Sequence, residues 1–217
     1  LLATDVDTKF SIKHLSTFFR LSQRSMVFIG LDMQAGQSTI SDTVIFTFNG
    51  QRELSEFVSK VDIHANLKNT ILLPKDLALF APQVSQLRLP ISLTGVFNGR
   101  IDDFKFTEME IETGGTILRG SVDMEGLPDI DETFIILGLQ DSKFDIEDFS
   151  FLFKDQILQR LIPIGSVSLQ GEFLGYPTDF VAKGEFIGQL GRITSDINFK
   201  VNEDNFDKSE YSGKLGL

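Results

Sequence analysis

The chain has 217 residues, of which 41% are apolar, and a formal net charge of -11. The apolar fraction is ordinary for a folded protein, and the length fits one large β domain or two small ones, so a disordered chain is excluded. The negative charge opposes phosphate backbones, so we expect no nucleic-acid partner. The sequence has no Cys, which excludes disulfides and thiolate metal sites. It has 21 Phe, two Tyr and no Trp, so its aromatic surface is almost purely apolar.

Strict alternation of apolar and polar residues is the dominant pattern along the chain, and it predicts β-strands with one face toward water. Residues 1–50 show only this alternation, so we assign them as a β segment without finer detail. The pattern is clearest over residues 61–67, 167–173 and 193–201. Gly-containing breaks at residues 49–50, 98–99 and 114–115 predict short antiparallel connections and hence a meander.

One segment has helical spacing instead. Asp148 can cap a helix whose apolar residues follow at helical intervals as far as Pro163. We therefore predict a helix over residues 148–160 and a shorter helical turn after Asp76. The expected fold is all-β: an elongated, mainly antiparallel sheet with one or two short helices.

The sequence repeats itself with a period of about 75 residues. Residues 93–99 (LTGVFNG) are echoed by residues 169–175 (LQGEFLG) at an offset of 76, and Gly115 and Ile117 are echoed by Gly191 and Ile193. Val61 and Ile63 are echoed by Phe134 and Ile136 at an offset of 73. We therefore divide the rest of the chain into a first β module over residues 51–140 and a helix plus second β module over residues 141–217.

Neither histidine has a second His or Cys at metal-ligand spacing. The acidic clusters, such as Asp102 with Asp103 and Asp145 with Asp148, lack the spacing of a calcium loop and are typical of strand ends and helix caps. Paired carboxylates could hydrolyse a glycoside, but nothing else in the sequence supports that hypothesis. We predict no enzyme activity and no catalytic, metal or cofactor site.

Strand parity predicts which apolar side chains share one face, because alternate residues of a strand point the same way. These candidates would line one continuous apolar surface that could contact acyl chains: Val61, Ile63, Ala65, Leu67, Leu93, Phe97, Phe134, Ile136, Val167, Leu169, Phe173, Ile193, Ile197, Phe199 and Val201.

With this repeat in view, most of the chain after residue 51 resembles the C-terminal region of TamB-type translocation and assembly modules, particularly the Bacteroidota form. The resemblance lies in the order and spacing of five segments, each an apolar and glycine pattern. They are residues 73–82 (LPKDLALFAP), 93–104 (LTGVFNGRIDDF), 116–120 (TILRG), 126–130 (GLPDI) and 190–201 (LGRITSDINFKV).

The resemblance implies a segment of a longer periplasmic protein that is anchored in the inner membrane through an N-terminal part not included here. It implies an open, taco-like β groove that serves phospholipid transfer between the inner and outer membranes and the assembly of outer-membrane proteins. The expected partners are phospholipid acyl chains and, through regions absent here, an outer-membrane barrel assembly protein. An alternative hypothesis is a protein-assembly scaffold whose exposed sheet edge templates client strands without conducting lipid.

Overall fold

The computed structural model describes residues 3–4, 11–77, 88–152, 158–159, 161–189, 191–202 and 205–216. They form one antiparallel sheet in which each strand pairs with the strands before and after it in sequence. This arrangement is the predicted meander, and the predicted all-β curved sheet is confirmed. The thirteen strands are β1 (Ala3–Thr4), β2 (Ser11–Leu21), β3 (Ser25–Ala35), β4 (Ser38–Thr47), β5 (Asp62–Leu72), β6 (Ile91–Arg100), β7 (Asp103–Thr113), β8 (Thr116–Glu125), β9 (Phe134–Asp145), β10 (Ser166–Tyr176), β11 (Asp179–Gly188), β12 (Gly191–Lys200) and β13 (Glu210–Gly216).

The helices in the described residues are short. Two α-helices, α1 (Phe57–Lys60) and α2 (Pro74–Leu77), flank β5, and 3-10 helices cover Gln51–Glu56, Ile146–Leu152, Ile162–Ile164 and Phe206–Lys208. The helix predicted over residues 148–160 is a 3-10 helix rather than an α-helix over residues 148–152, whereas residues 158–159 are α-helical as predicted. Residues 153–157 and 160 lie outside the described residues. The turn predicted after Asp76 falls on α2 and on residues 78–87, which also lie outside them.

The sheet is extended. A compact monomer of this mass, 24.3 kDa, would expose about 10,000 Å², whereas this chain exposes 13573 Å². At about 4.8 Å between neighbouring strands, thirteen strands side by side measure about 58 Å. The excess surface follows because both faces of a single sheet cannot be buried in one compact core.

A line of β-bulges crosses the sheet from β2 to β10. Each strand pair from β2–β3 to β9–β10 has a break in register, and the pairs β10–β11, β11–β12 and β12–β13 have none. Because a bulge bends its strand, aligned bulges fold the sheet along a line that we call the crease. One residue with positive φ marks it in each strand from β3 to β10: Gly30, Asp42, Asn69, Gly95, Glu108, Gly120, Asp141 and Gly171.

The face on which the two sides of the crease meet is the inner face. Its two buried apolar clusters centre on Leu31, Val44 and Ala65 and on Phe106, Met109 and Leu139. Each cluster contains residues from both sides of the crease; Phe106 and Met109, for example, flank the bulge at Glu108. Among the described residues every buried apolar side chain precedes β10, and Ser195 is the one buried side chain beyond it, so the inner face is closed at the crease and largely open beyond it.

The strands repeat in units of four: β2–β5, β6–β9 and β10–β13. Phe97 faces Phe106 across β6–β7, and the corresponding pair in the first unit is Phe19 and Phe28. The predicted offset of 76 is confirmed between β6 and β10, where Gly99 opposite Phe104 becomes Gly175 opposite Phe180. All three units belong to one sheet, so no sheet boundary separates the predicted segments 1–50, 51–140 and 141–217 among the described residues.

Candidate functional site

The inner face is almost free of charge. From β3 to β13, Asp42 is the one Asp, Glu, Lys, Arg or His at a described inner position: it pairs with the inner residues Leu31 and Leu67, and its carboxylate contacts Lys68 at 2.7 Å. The opposite positions of β10–β12 include Glu172, Lys183, Asp196 and Lys200. Each inner residue follows from strand parity, reset at the bulges, so one face is apolar over nearly the whole sheet. Such a face can contact hydrocarbon without burying an unpaired charge.

Several polar side chains on the inner face are Ser and Thr, and three of their hydroxyls hydrogen-bond to neighbouring backbone. Ser195 donates to the carbonyl oxygen of Ala182 at 2.9 Å. Thr70 accepts from the Ser41 amide at 3.2 Å, and Ser142 accepts from the Arg119 amide at 2.8 Å. These hydroxyls stabilise neighbouring backbone and leave little polarity for a ligand.

Beyond the crease, phenylalanine rings line the inner face. Phe173 stacks on Phe180 with ring centroids 4.7 Å apart, and Phe180 stacks on Phe199 at 5.6 Å. The same arrangement occurs one unit earlier, where the centroids of Phe97 and Phe104 are 4.6 Å apart. The rings form an apolar wall that crosses neighbouring strands.

A row of small residues runs beside this wall, and we call it the furrow. Gly171, Gly184 and Ser195 are direct neighbours on β10, β11 and β12. Gly171 is also the last residue of the crease, so the furrow continues the line of the crease into the uncreased strands. Larger side chains flank it on both sides: Leu169, Phe186 and Ile193 on one side, and Phe173 and Ile197 on the other, with Ala182 between these two.

At the β13 end of the furrow, an open hollow of about 560 Å³ is lined by residues of both faces, among them Ser195 and Leu215 on the inner face and Asp196 and Lys214 on the outer face. A larger hollow, of about 680 Å³, is lined by polar residues that include Glu108, Arg119, Gln140 and Glu172. It lies over the bulges of β7–β10, and Arg119 there is already bound to Glu110. The larger of these two hollows is therefore mainly polar, although Met109 and Leu139 of the inner cluster also line it.

Most of the predicted apolar surface lies on the inner face. Strand pairing places these predicted residues there: Ile63, Ala65, Leu67, Leu93, Phe97, Val167, Leu169, Phe173, Ile193, Ile197 and Phe199. Val61 is fully buried but directly precedes β5, and Val201 follows β12, where its amide donates to the Thr178 carbonyl oxygen at 2.8 Å.

Phe134 and Ile136 require a correction, because they lie on the outer face. Ile136 is 46% exposed and neighbours Asp123 and Leu174, whereas Leu137 packs in the inner cluster. Residues 134–137 are all apolar, so alternation could not choose between the two faces. The inner residues of this segment are Ile135 and Leu137. In an uninterrupted apolar run, alternation gives no reason to choose them over Phe134 and Ile136.

The acidic clusters serve the backbone and ion pairs. Asp102 and Asp103 both bind Arg100, and Asp145 accepts from the Ser166 hydroxyl at 2.6 Å. Asp148 was predicted as a helix cap but instead accepts hydrogen bonds from the Gly115 amide and the Thr116 hydroxyl. In the described part of the chain, no three His, Cys, Asp or Glu side chains could hold a metal ion together.

Several charged side chains of the sheet are held in ion pairs. A hydrogen bond from Lys68 lowers the pKa of Asp42. Hydrogen bonds to Asp102 and Asp123 raise the pKa values of Arg100 and Lys105, respectively. His14 contacts Asp32 and His64 contacts Asn98, both at exposed positions. The charged residues therefore keep the outer side in water, and the inner side is left apolar.

The chain matches no protein-family model, no curated protein and no solved structure. Among the described residues, no helix is both long and apolar enough to cross a membrane.

Proposed function

We propose that this chain is a segment of a TamB-type, periplasm-spanning envelope protein and that its inner face is a groove for phospholipid acyl chains. The observation that carries the proposal is the inner face of β10–β12, which holds no charged residue and along which the furrow continues the line of the crease. The groove serves phospholipid transfer between the inner and outer membranes, and the protein also supports assembly of outer-membrane proteins.

The geometry suits hydrocarbon rather than a polar ligand. The furrow runs across the strands, along the length of the sheet, so an acyl chain lying in it would pass from one strand to the next. Each methylene that leaves water contributes about 0.8 kcal/mol. A charged headgroup would stay in water at the open side, because the inner positions offer it no partner.

The proposal that the chain belongs to a TamB-type protein rests on the order of motifs in residues 73–130 and 190–201. It supports an inner-membrane anchor and an outer-membrane barrel assembly partner, both contributed by regions outside this chain. Neither is a property of the sheet itself, so the lipid groove is tested first and separately.

A photo-crosslinking amino acid at Phe199 tests the groove directly. Phe199 lies on the inner face in the aromatic wall, and its chain neighbour Asn198 points to the outer face. With p-benzoylphenylalanine at position 199, we expect phospholipid adducts by mass spectrometry after irradiation in cells. The same group at position 198 is the matched control and should give few. Equal adducts at both positions, or none at position 199, would reject the groove.

A charge at the same position tests transport. We expect Phe199→Glu in the full-length parent to abolish lipid transfer and to leave folding intact, because the carboxylate can reach water at the open side of the sheet. Asn198→Glu should change neither property. Leu169→Glu is a less clean test, because Leu169 packs against the buried cluster of Phe106, Met109 and Leu139 and its charge would also destabilise the fold.

A scaffold that templates client strands is the second candidate function. It is favoured by β13, whose seven residues are all exposed. A scaffold without lipid conduction would give no adducts at position 199 and would bind strands at this edge.

A further inference from the structure

The edge strand β13 is open and apolar on its inner side. Among the described residues it pairs only with β12. Tyr211 and Leu215 point to the inner face, opposite Phe199 and Ser195, and are 71% and 58% exposed. An exposed apolar edge is a template for a further strand.

The two preceding units show what covers this place. β13 is the fourth strand of its unit, as β5 and β9 are of theirs. Tyr211, Gly213 and Leu215 correspond to Ile63, Ala65 and Leu67 in β5 and to Ile135, Leu137 and Leu139 in β9.

In both earlier units, the strand that follows the fourth strand pairs with it, and the register is the same in the two units. Ile63, Ala65 and Leu67 face Gly99, Phe97 and Gly95. Ile135, Leu137 and Leu139 face Gly175, Phe173 and Gly171. The covering strand therefore has the pattern Gly-x-Phe-x-Gly, with each glycine opposite a large residue.

The pattern places small residues opposite large ones across the strand pair. A glycine leaves room beside a large neighbour, and the phenylalanine between the two glycines covers the central position. In β13 that central position is Gly213, flanked by the large residues Tyr211 and Leu215. As in β5 and β9, the two large residues of β13 require small partners and the position between them can take a large one. The space for a phenylalanine is larger in β13, because Gly213 has no side chain.

We propose that the edge of β13 binds one antiparallel Gly-x-Phe-x-Gly strand, the first strand of another four-strand unit of this type. Its phenylalanine lies opposite Gly213, its first glycine opposite Leu215 and its second opposite Tyr211. The proposal extends strand pairing seen twice in this sheet, and it does not depend on what the groove contains.

A second copy of this chain fits the site less well. The first strand of its own first unit is β2, in which Phe19 occupies the phenylalanine position. Thr17 and Leu21 occupy the two glycine positions, and Leu21 would meet Tyr211. We therefore expect the chain not to assemble head to tail through β2.

Disulfide trapping reads out the register. The chain has no Cys, so Ser212→Cys places a single thiol on the exposed outer side of β13. The probe is a synthetic peptide of residues 166–176, which carries Gly171, Phe173 and Gly175, with Cys in place of Leu174. Ser212 corresponds to Ile136, the neighbour of Leu174 across β9–β10.

Two matched peptides carry the Cys at position 172 or 176 instead, on the same side of the strand. In a glutathione buffer we expect the position-174 peptide to crosslink at least fivefold more than either control. Replacing Gly171 and Gly175 by Leu in the position-174 peptide should reduce its yield at least tenfold. Equal yields at the three positions, no effect of the glycine replacements, or no crosslink at all would overturn the proposal.

A separate crosslinking experiment tests whether a second copy of the chain binds at β13 through its β2. By the same register, Arg20 on the outer side of β2 corresponds to position 174 of the peptide. Full chains carrying Ser212→Cys and Arg20→Cys should crosslink at no more than a tenth of the peptide's yield at equal concentration. A yield similar to the peptide's would show that the glycines do not select the partner.

Discussion

The carboxylate of Asp148 accepts a hydrogen bond from the hydroxyl of Thr116 at 2.8 Å, although 32 positions separate the two residues in sequence. The same carboxylate accepts from the Gly115 amide at 2.9 Å. Asp76 makes the equivalent contact one unit earlier, with the Ser38 hydroxyl at 2.7 Å and amide at 3.0 Å. Each of the first two units thus ties the segment that follows its fourth strand to the turn between its second and third strands.

We expect Asp148→Ala to lower the free energy of unfolding by about 2–4 kcal/mol, because hydrogen bonds to a charged group contribute about 1.5–3 kcal/mol each and the buried Thr116 hydroxyl would lose its acceptor. Urea denaturation followed by circular dichroism measures the change. Glu147→Ala, at the exposed neighbouring position, should stay within about 0.5 kcal/mol. Similar values for the two variants would show that the contact adds no stability.

The crease predicts different effects for two nearby glycines, Gly120 on β8 and Gly138 on β9, which pair with Leu139 and Ser121, respectively. At Gly120, with φ of +147°, an added Cβ would lie 1.9 Å from the Gly138 carbonyl oxygen. At Gly138 it would meet only the Ser121 hydroxyl, at 3.7 Å. Gly120→Ala should therefore cost more than about 2 kcal/mol of unfolding free energy, whereas Gly138→Ala should be within about 0.5 kcal/mol of the parent. Equal costs in urea denaturation would argue against a bulge at this place.

The extent of the sheet predicts its scattering. A compact domain of this length has a radius of gyration of about 17 Å, whereas a sheet about 58 Å long should give a value above about 20 Å. Small-angle X-ray scattering over a dilution series measures it and separates elongation from association. A value near 17 Å that is independent of concentration would mean that the sheet closes on itself in solution.

Alternation predicted the meander and most of the inner face, because Ile63, Ala65 and Leu67 are separated by polar or outward residues. It failed at Phe134 and Ile136. The sequence repeat aligned Ile63 with Ile136 at an offset of 73, whereas strand pairing aligns it with Ile135 at 72. A slip of one residue moves a strand's side chains to the other face, so this one-residue difference explains the wrong assignment.

The crease could not be predicted from the sequence. Four of its positions are Asp42, Asn69, Glu108 and Asp141, which adopt positive φ although glycine is the usual residue there. The bulge in β7 also shifts the repeat: Ile193 was aligned with Ile117 at an offset of 76, and strand pairing aligns it with Leu118 at 75, because β11 lacks the extra residue. The assignment of Asp148 as a helix cap failed for another reason. A carboxylate can accept hydrogen bonds from the start of a helix or from a distant turn, and the sequence does not distinguish the two.

The furrow gives the sharpest test of the proposed groove that does not introduce a charge. Ser195 is its last small residue, between Gly184 and Leu215. We expect Ser195→Phe to fill the furrow and to reduce phospholipid adducts at position 199 at least fivefold in the photo-crosslinking assay. Circular dichroism and urea denaturation should show a folded protein, because β12 tolerates large side chains at the neighbouring inner positions Ile193 and Ile197. The matched control is Thr194→Phe, which adds the same ring to the exposed outer side and should leave the adducts unchanged. If Ser195→Phe unfolds the chain, the furrow is part of a closed core, and if it folds but leaves the adducts unchanged, lipid takes another path; either result contradicts a groove that runs through Gly171, Gly184 and Ser195.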